Sequence, residues 1–296
     1  MKKIIVTGAT GLIGSHLLEP LASMFEVHAI SRLQTNKEIE NVKWHQADLS
    51  GGFDTSILPT NVESVIYLAQ SENFRDFPDK ALDVFEVNTV KLFKMLDYAR
   101  VAEAKKFIYA SSGGVYGVGE NAFSEDVTLP ANSENGFYLS TKLCSEILAE
   151  NYKPFMNIVI LRFFFVYGKG QKRSMLIPRL ADNIQEGNPI SLQGNEGIFL
   201  NPIHVSDAVS SVLAALELKG LHKINVAGPE VLSLKRISEI IGDKVGVQPI
   251  FRYDTTNMPR HLIGNIVNMK KLLTTPLCFP LDGFNDAIDI KIRKRE

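Results

Sequence analysis

The opening residues "MKKIIVTGATGLIG" restrict the fold more than any other stretch of the chain. Lys2 to Thr7 is an apolar run of strand length, and it leads into Gly8, Gly11 and Gly14, three apart, before the helical pattern "SHLLEPLASM". Glycine accepts the backbone of a tight turn and lets other backbone approach closely. A strand that turns this sharply into a helix commits the chain to a βα unit. The helix N-terminus then offers free N–H groups and a positive dipole end, a seat for a pyrophosphate. The spacing differs from G-x-G-x-x-G, but strand, turn and helix stand in the order that dinucleotide binding needs. The alternative is a purely structural turn.

Further along, "EVHAISR", "VESVIYLAQ", "KKFIYASS" and "NIVILRF" read as strands. A helical segment from Asp79 to Ala104 and a second one carrying "YLSTK" lie between the later ones. Strands this apolar are covered on both faces, so the expected fold is α/β, a Rossmann-like doubly wound parallel sheet. Residues 1–165, completed by 201–227, form the expected dinucleotide-binding domain. Glycine and proline punctuate the rest, and 166–200 with 228–296 form the expected smaller C-terminal substrate-binding region. There Ser233 is expected to cap a helix whose apolar face includes Ile237 and Ile240 or Ile241.

Composition narrows the partners. The net charge of -1 gives no attraction for a polyanion, so no nucleic-acid partner is expected, and the terminal "KIRKRE" reads as a solvated tail. Cys144 and Cys278 are far apart, fit a reducing compartment and read as inert buried thiols. The first apolar run breaks at Thr7, too soon for a signal-peptide core, and no uncharged run approaches the ~20 residues of a bilayer span. The expectation is a cytoplasmic protein with no membrane partner. The six histidines lack ligand spacing, so no metal is expected.

The second strand ends in Ser31-Arg32, where NAD-binding folds commonly carry an acid for the ribose hydroxyls. An arginine suits a 2′-phosphate, so NADP(H) is the favoured cofactor; NAD(H) stays open, with Arg32 then a surface charge.

With "TGATGLIG", "YASSGGVYG" and "YLSTK" in this order, the chain resembles the extended short-chain dehydrogenase/reductase family, that of the NAD(P)-dependent epimerases and dehydratases. Asn88 in "FEVNTVKLF", the stretch "LRFFFVYGKGQ", and "NPIHVSDAV" with Asp207 match in position. The resemblance implies a catalytic set of Ser112, Tyr138 and Lys142: the tyrosine as acid and base, the lysine on the cofactor ribose, the serine orienting the substrate oxygen. Ser111 is the rival serine. The implied cofactor site takes in Gly8, Gly11, Leu12, Ile13, Gly14, Ser31, Arg32, Asp48, Leu49, Leu68, Ala69 and Asn88, with Tyr138 and Lys142. Four residues apart on a helix, Tyr138 and Lys142 share one face. To act near neutrality a phenol of pKa about 10 must shift by roughly 3 units, about 4 kcal/mol. An ammonium at ~4 Å contributes on the order of 4 kcal/mol at an effective dielectric of 20.

Three departures narrow the chemistry. The family's dehydratases carry an acidic pair where this chain has Gly113-Gly114, which argues against dehydration. Many sugar-nucleotide members carry asparagine at Phe165 and an arginine near Leu200, and both positions are apolar here. Either the substrate lacks a diphosphate, or Lys172 and Arg173, with Lys169, Arg179 and Arg260 as further candidates, replace those contacts. Each of these is otherwise a solvated charge. Gly113, Phe165, Lys172 and Arg173 make up the expected substrate-side set, although Phe163 to Phe165 also read as core, and His204 reads as structural.

The expected activity is that of an oxidoreductase or epimerase, with hydride transfer at a carbonyl or secondary alcohol carbon of a nucleotide-linked sugar, and Arg32 tilts it toward ketoreduction. The alternatives are reduction of a non-sugar ketone or aldehyde, and a non-catalytic NADP(H)-sensing regulator. A homodimer is a further expectation, through the face of Leu82, Phe85, Leu92, Phe93 and Leu96, unless that face covers the sheet.

Overall fold

The computed structural model describes residues 1–130, 136–256 and 260–288. Its centre is a parallel sheet of β1 (Lys3–Thr7), β2 (Glu26–Ser31), β3 (Val42–Gln46), β4 (Val62–Tyr67), β5 (Lys106–Ser112), β6 (Asn157–Phe163) and β11 (Leu221–Val226). The spatial order is β3-β2-β1-β4-β5-β6-β11, the doubly wound Rossmann-like arrangement expected above. The winding reverses between β1 and β4, and ligands of such sheets bind outside the carboxyl ends of the strands at that point.

β1 shows why its run is apolar throughout. Ile4 and Val6 pack on one face with Leu17, Leu18 and Leu21 of α1 (Leu12–Ala22) and Val212 of α6 (Val205–Ala215). Ile5 packs on the other with Leu92, Met95 and Leu96 of α3 (Lys91–Val101). The helix expected from Asp79 to Ala104 is not continuous: α2 (Ala81–Phe85) passes through a π-helical turn, Glu86–Val90, before α3. A π turn fits an extra residue into the helix and re-aims the side chains around it, here Asn88. Leu92 and Leu96 cover the sheet, whereas Leu82, Phe85 and Phe93 are exposed.

The later segments form two-stranded ladders: β7 (Val166–Tyr167) with β10 (Ile203–His204), β8 (Ile190–Gln193) with β13 (Phe251–Asp254), and β9 (Phe199–Leu200) with β12 (Leu232–Ser233). Around them α5 (Leu176–Glu186), α7 (Leu234–Val245) and α9 (Pro280–Ala287) bury a separate cluster that includes Ile177, Leu180, Ile184, Leu192 and Phe284. Ser233 caps α7 by accepting from the Arg236 N–H at 3.0 Å, and Ile237, Ile240 and Ile241 all face inward. α8 (Val267–Leu272) departs from the expected grouping, because its Met269 packs into the sheet core.

Other differences are local. The edge strand β3 is an element that the sequence reading did not anticipate, since its residues are only partly buried. Cys144 is exposed, contrary to expectation, because it lies on the outer side of α4 (Gly136–Glu150). Among the described residues no helix is long and apolar enough to cross a membrane. The "KIRKRE" tail lies outside the described residues.

Candidate active site

The glycine turn has a separate steric reason at two of its positions. Gly8 has φ +67, and a Cβ there would stand 2.8 Å from the Ala69 nitrogen. At Gly14 a Cβ would stand 2.3 Å from the Gly8 carbonyl oxygen, so the first turn of α1 closes directly on the loop. Thr7 secures the neighbouring strand end: its Oγ1 accepts from the Ala69 N–H at 3.2 Å and its carbonyl from the Leu68 N–H at 3.3 Å. α1 starts at Gly11 with no side-chain cap and no acid in its first turn. An uncapped, acid-free helix start keeps its positive end available to an anion, so these residues fit a dinucleotide pyrophosphate. Leu12, Ile13 and Leu68 are partly buried against the core, and Leu49 and Ala69 are buried in it.

Across the switch point, α4 brings Tyr138 and Lys142 toward the end of β5 and Ser112. Tyr138 donates to Gln70 Oε1 at 2.9 Å, and the Ser112 side chain lies near enough to its phenol to oppose the rise in pKa. Ser112 Oγ in turn accepts from the Gly114 N–H at 3.1 Å, which fixes its position. Lys142 is buried, donates to the Ala110 carbonyl at 2.8 Å, and holds its Nζ 5.9 Å from the centre of the Tyr138 ring.

The electrostatics differ from the sequence expectation. Burial pushes the Tyr138 phenol up, opposed by the Ser112 hydrogen bond. Burial also pulls Lys142 down to about 7, opposed by the Glu146 carboxylate. With its pKa pulled down to about 7, Lys142 carries only part of its charge at neutral pH and so gives the phenol less than the full-charge figure expected from sequence. The lysine alone does not bring this phenol to neutrality.

The structure separates the two serines. Ser111 is buried and donates to Glu146, whereas Ser112 meets Tyr138. Glu146 also takes the Arg162 guanidinium, with Nη2 at 2.7 Å and Nε at 3.1 Å, and Arg162 Nη1 donates to the Tyr116 hydroxyl at 2.7 Å. That hydroxyl reaches Asn225 Oδ1 at 2.8 Å. Sequence reasoning missed this network, although Glu146 stands four residues after Lys142 and Arg162 interrupts the apolar run "NIVILRF". Asn88 is buried as a brace: Oδ1 accepts from the Ser71 N–H at 3.1 Å, and Nδ2 donates to Thr141 Oγ1 at 3.0 Å.

At the tip of β2, Ser31 is buried and donates to the Leu33 carbonyl. Arg32 pairs with Glu72 at 3.0 Å, so its guanidinium already has an anionic partner. Asp48 accepts from the Ser50 N–H at 2.9 Å and its hydroxyl at 2.8 Å, which with the nearby Arg32 holds the carboxyl below its usual range.

Residues 4–227 match the family model of the NAD dependent epimerase/dehydratase family. The chain belongs to this family. It is therefore an enzyme of the short-chain dehydrogenase/reductase type. A Bacillus subtilis protein described as an uncharacterized UDP-glucose epimerase is 27% identical, over 97% of this chain and 96% of its own. The dTDP-4-dehydro-6-deoxyglucose reductase of Escherichia coli is 26% identical, over 98% and 96%. Among solved structures, the UDP-glucuronic acid 4-epimerase of Bacillus cereus, in complex with UDP-glucuronic acid and NAD, is 26% identical and superposes with a TM-score of 0.83 over 96% of this chain and 97% of that one.

The substrate-side residues divide differently from the expectation. Gly113 is buried, and a Cβ there would stand 2.4 Å from the Phe164 ring; at Gly114 one would stand 2.7 Å from Leu139. The two glycines are thus packing positions where a larger residue would have to displace the Phe164 ring and the Leu139 side chain. Phe165 is half-buried with φ +46, a left-handed backbone that asparagine adopts more readily than phenylalanine. Its ring packs against both the later cluster and that of Val115, Tyr116 and Phe164. Leu200 is fully buried. Arg173 is held by Asp182 of α5, and Lys172 reaches Glu72. Lys169, Arg179 and Arg260 are exposed.

Proposed function

We propose that the protein is an epimerase of nucleotide-linked sugars that works with NAD(H) at a ring carbon bearing a secondary alcohol. The convergence of Ser112, Tyr138 and Lys142 opposite the glycine turn carries this reading. The nicotinamide, when bound, supplies the hydride acceptor and returns the hydride. Tyr138 takes the alcohol proton and gives it back, and Ser112 orients the oxygen that loses it. A phenol is protonated at neutral pH, the form that donates to a keto oxygen, and burial raises its pKa further. Accepting a proton needs positive charge beside the ring, and Lys142 is the residue placed to supply part of it.

Two observations support the epimerase over the reductase. Arg32 is engaged by Glu72, which weakens the sequence argument for NADP(H). The Bacillus cereus 4-epimerase binds NAD and resembles this chain along nearly its whole length. The second reading, an NADP(H)-dependent ketoreductase, keeps the support of an arginine in place of an acid at the β2 tip, and of the Escherichia coli reductase. The exposed Leu82, Phe85 and Phe93 offer a face for a homodimer.

The test is incubation with UDP-hexoses and no added reductant, with the products followed by NMR. Epimer formation supports the proposal. Conversion of keto sugars only, with consumption of NADPH, supports the second reading, and no reaction with either class overturns both.

A further inference from the structure

Three charged side chains from three parts of the chain meet at the cleft mouth. Arg32 follows β2, Glu72 lies in the loop after β4, and β1 stands between those two strands in the sheet. The Arg32 to Glu72 contact of 3.0 Å therefore reaches across the end of β1, where the glycine turn begins. Lys172, in the loop before α5, places its Nζ 2.5 Å from the other oxygen of Glu72. The same two loops are tied again by Arg75, which donates to the Ser174 carbonyl at 3.1 Å. Lys172 and Arg32 together hold the Glu72 carboxyl below its ordinary range, so it is anionic at neutral pH.

We propose that Glu72 is a specificity-determining residue that selects the unphosphorylated dinucleotide by occupying Arg32. The inference rests on the reading that this cleft binds a nicotinamide dinucleotide. The acid that the β2 tip lacks in sequence is delivered to it in space from the β4 loop. A 2′-phosphate at Arg32 has to displace the carboxylate or lie beside it, and two anions competing for one guanidinium weaken each other's hold. A neutral ribose hydroxyl meets no such repulsion. Glu72, Arg32 and Lys172 are each about half exposed or more, so neutralising Glu72 disturbs no buried charge.

The experiment titrates the unaltered protein, Glu72→Gln and Arg32→Ala/Glu72→Gln with NADH and with NADPH by nicotinamide fluorescence. The unaltered protein is expected to bind NADH more tightly. Glu72→Gln is expected to tighten NADPH by about tenfold, the size of one charge-assisted contact, with NADH nearly unchanged, and the double variant is expected to lose that gain. An NADPH to NADH ratio in Glu72→Gln equal to that of the unaltered protein overturns the role of Glu72 and leaves the cleft assignment standing. An unaltered protein that prefers NADPH also overturns it. Failure of the unaltered protein to bind either cofactor overturns the cleft assignment and this inference with it.

Discussion

Two charged clusters flank the cleft and differ in their access to water. Behind Lys142, Glu146 and Arg162 are each 1% exposed and share three hydrogen bonds between guanidinium and carboxylate. At the cleft mouth, Arg32, Glu72 and Lys172 are 49%, 48% and 62% exposed. Desolvation decides what each can do. Removing one partner of a buried pair strands the other charge in a low dielectric, at a cost of about 3–5 kcal/mol. The inner pair is therefore a fixed support that joins α4 to β6. An exposed pair contributes about 0–1 kcal/mol, so a ligand can displace it. The outer cluster is suited to sensing what binds.

Glu146→Ala is the largest break of this contrast. It leaves Arg162 buried without its carboxylate, and urea unfolding should show a loss of about 3–5 kcal/mol. A loss below about 1 kcal/mol, the range of an exposed pair, would place both clusters in one class.

Lys142 sharpens the contrast through pH. Its folded pKa of about 7 lies below the ordinary lysine value of about 10.4. Between those values the unfolded chain binds the extra proton, so this lysine makes stability rise with pH across that window and contributes no slope below it. Denaturation curves across the window should show that rise, and Lys142→Met should remove it. An identical slope in the two proteins would mean that the lysine is not desolvated as described.

The smallest effect is expected at the outer cluster. Lys172→Ala should change stability by no more than about 1 kcal/mol, and by less at high salt. A larger, salt-independent loss in thermal or urea unfolding would show that the cleft mouth is structural.

The elements that were legible in the sequence are those whose burial is complete. β1, β5 and β6 are apolar on both faces, and that pattern alone argues for a covered parallel sheet. β3 escaped because an edge strand buries little. The π turn at Asn88 depends on packing against α4 and leaves no periodic signal. The positions of Tyr138, Lys142 and Ser112 followed from helix spacing and family resemblance, but their electrostatics did not, because burial is a property of the assembled fold. Arg32 was visible and its partner was not: Glu72 reaches it only once β1 separates β2 from β4. The strand-end alternation that sends Ser111 to Glu146 and Ser112 to Tyr138 likewise needed the sheet's orientation.

The central claim is that Tyr138 carries the proton while a hydride leaves and returns to a nucleotide-linked sugar. Its most direct test is Tyr138→Phe, with product formation from a UDP-hexose and NADH affinity measured on the same preparation. The account predicts turnover lower by about 10²- to 10⁴-fold, the usual share of a general acid and base, with NADH affinity unchanged. Turnover comparable to that of the unaltered protein would contradict it.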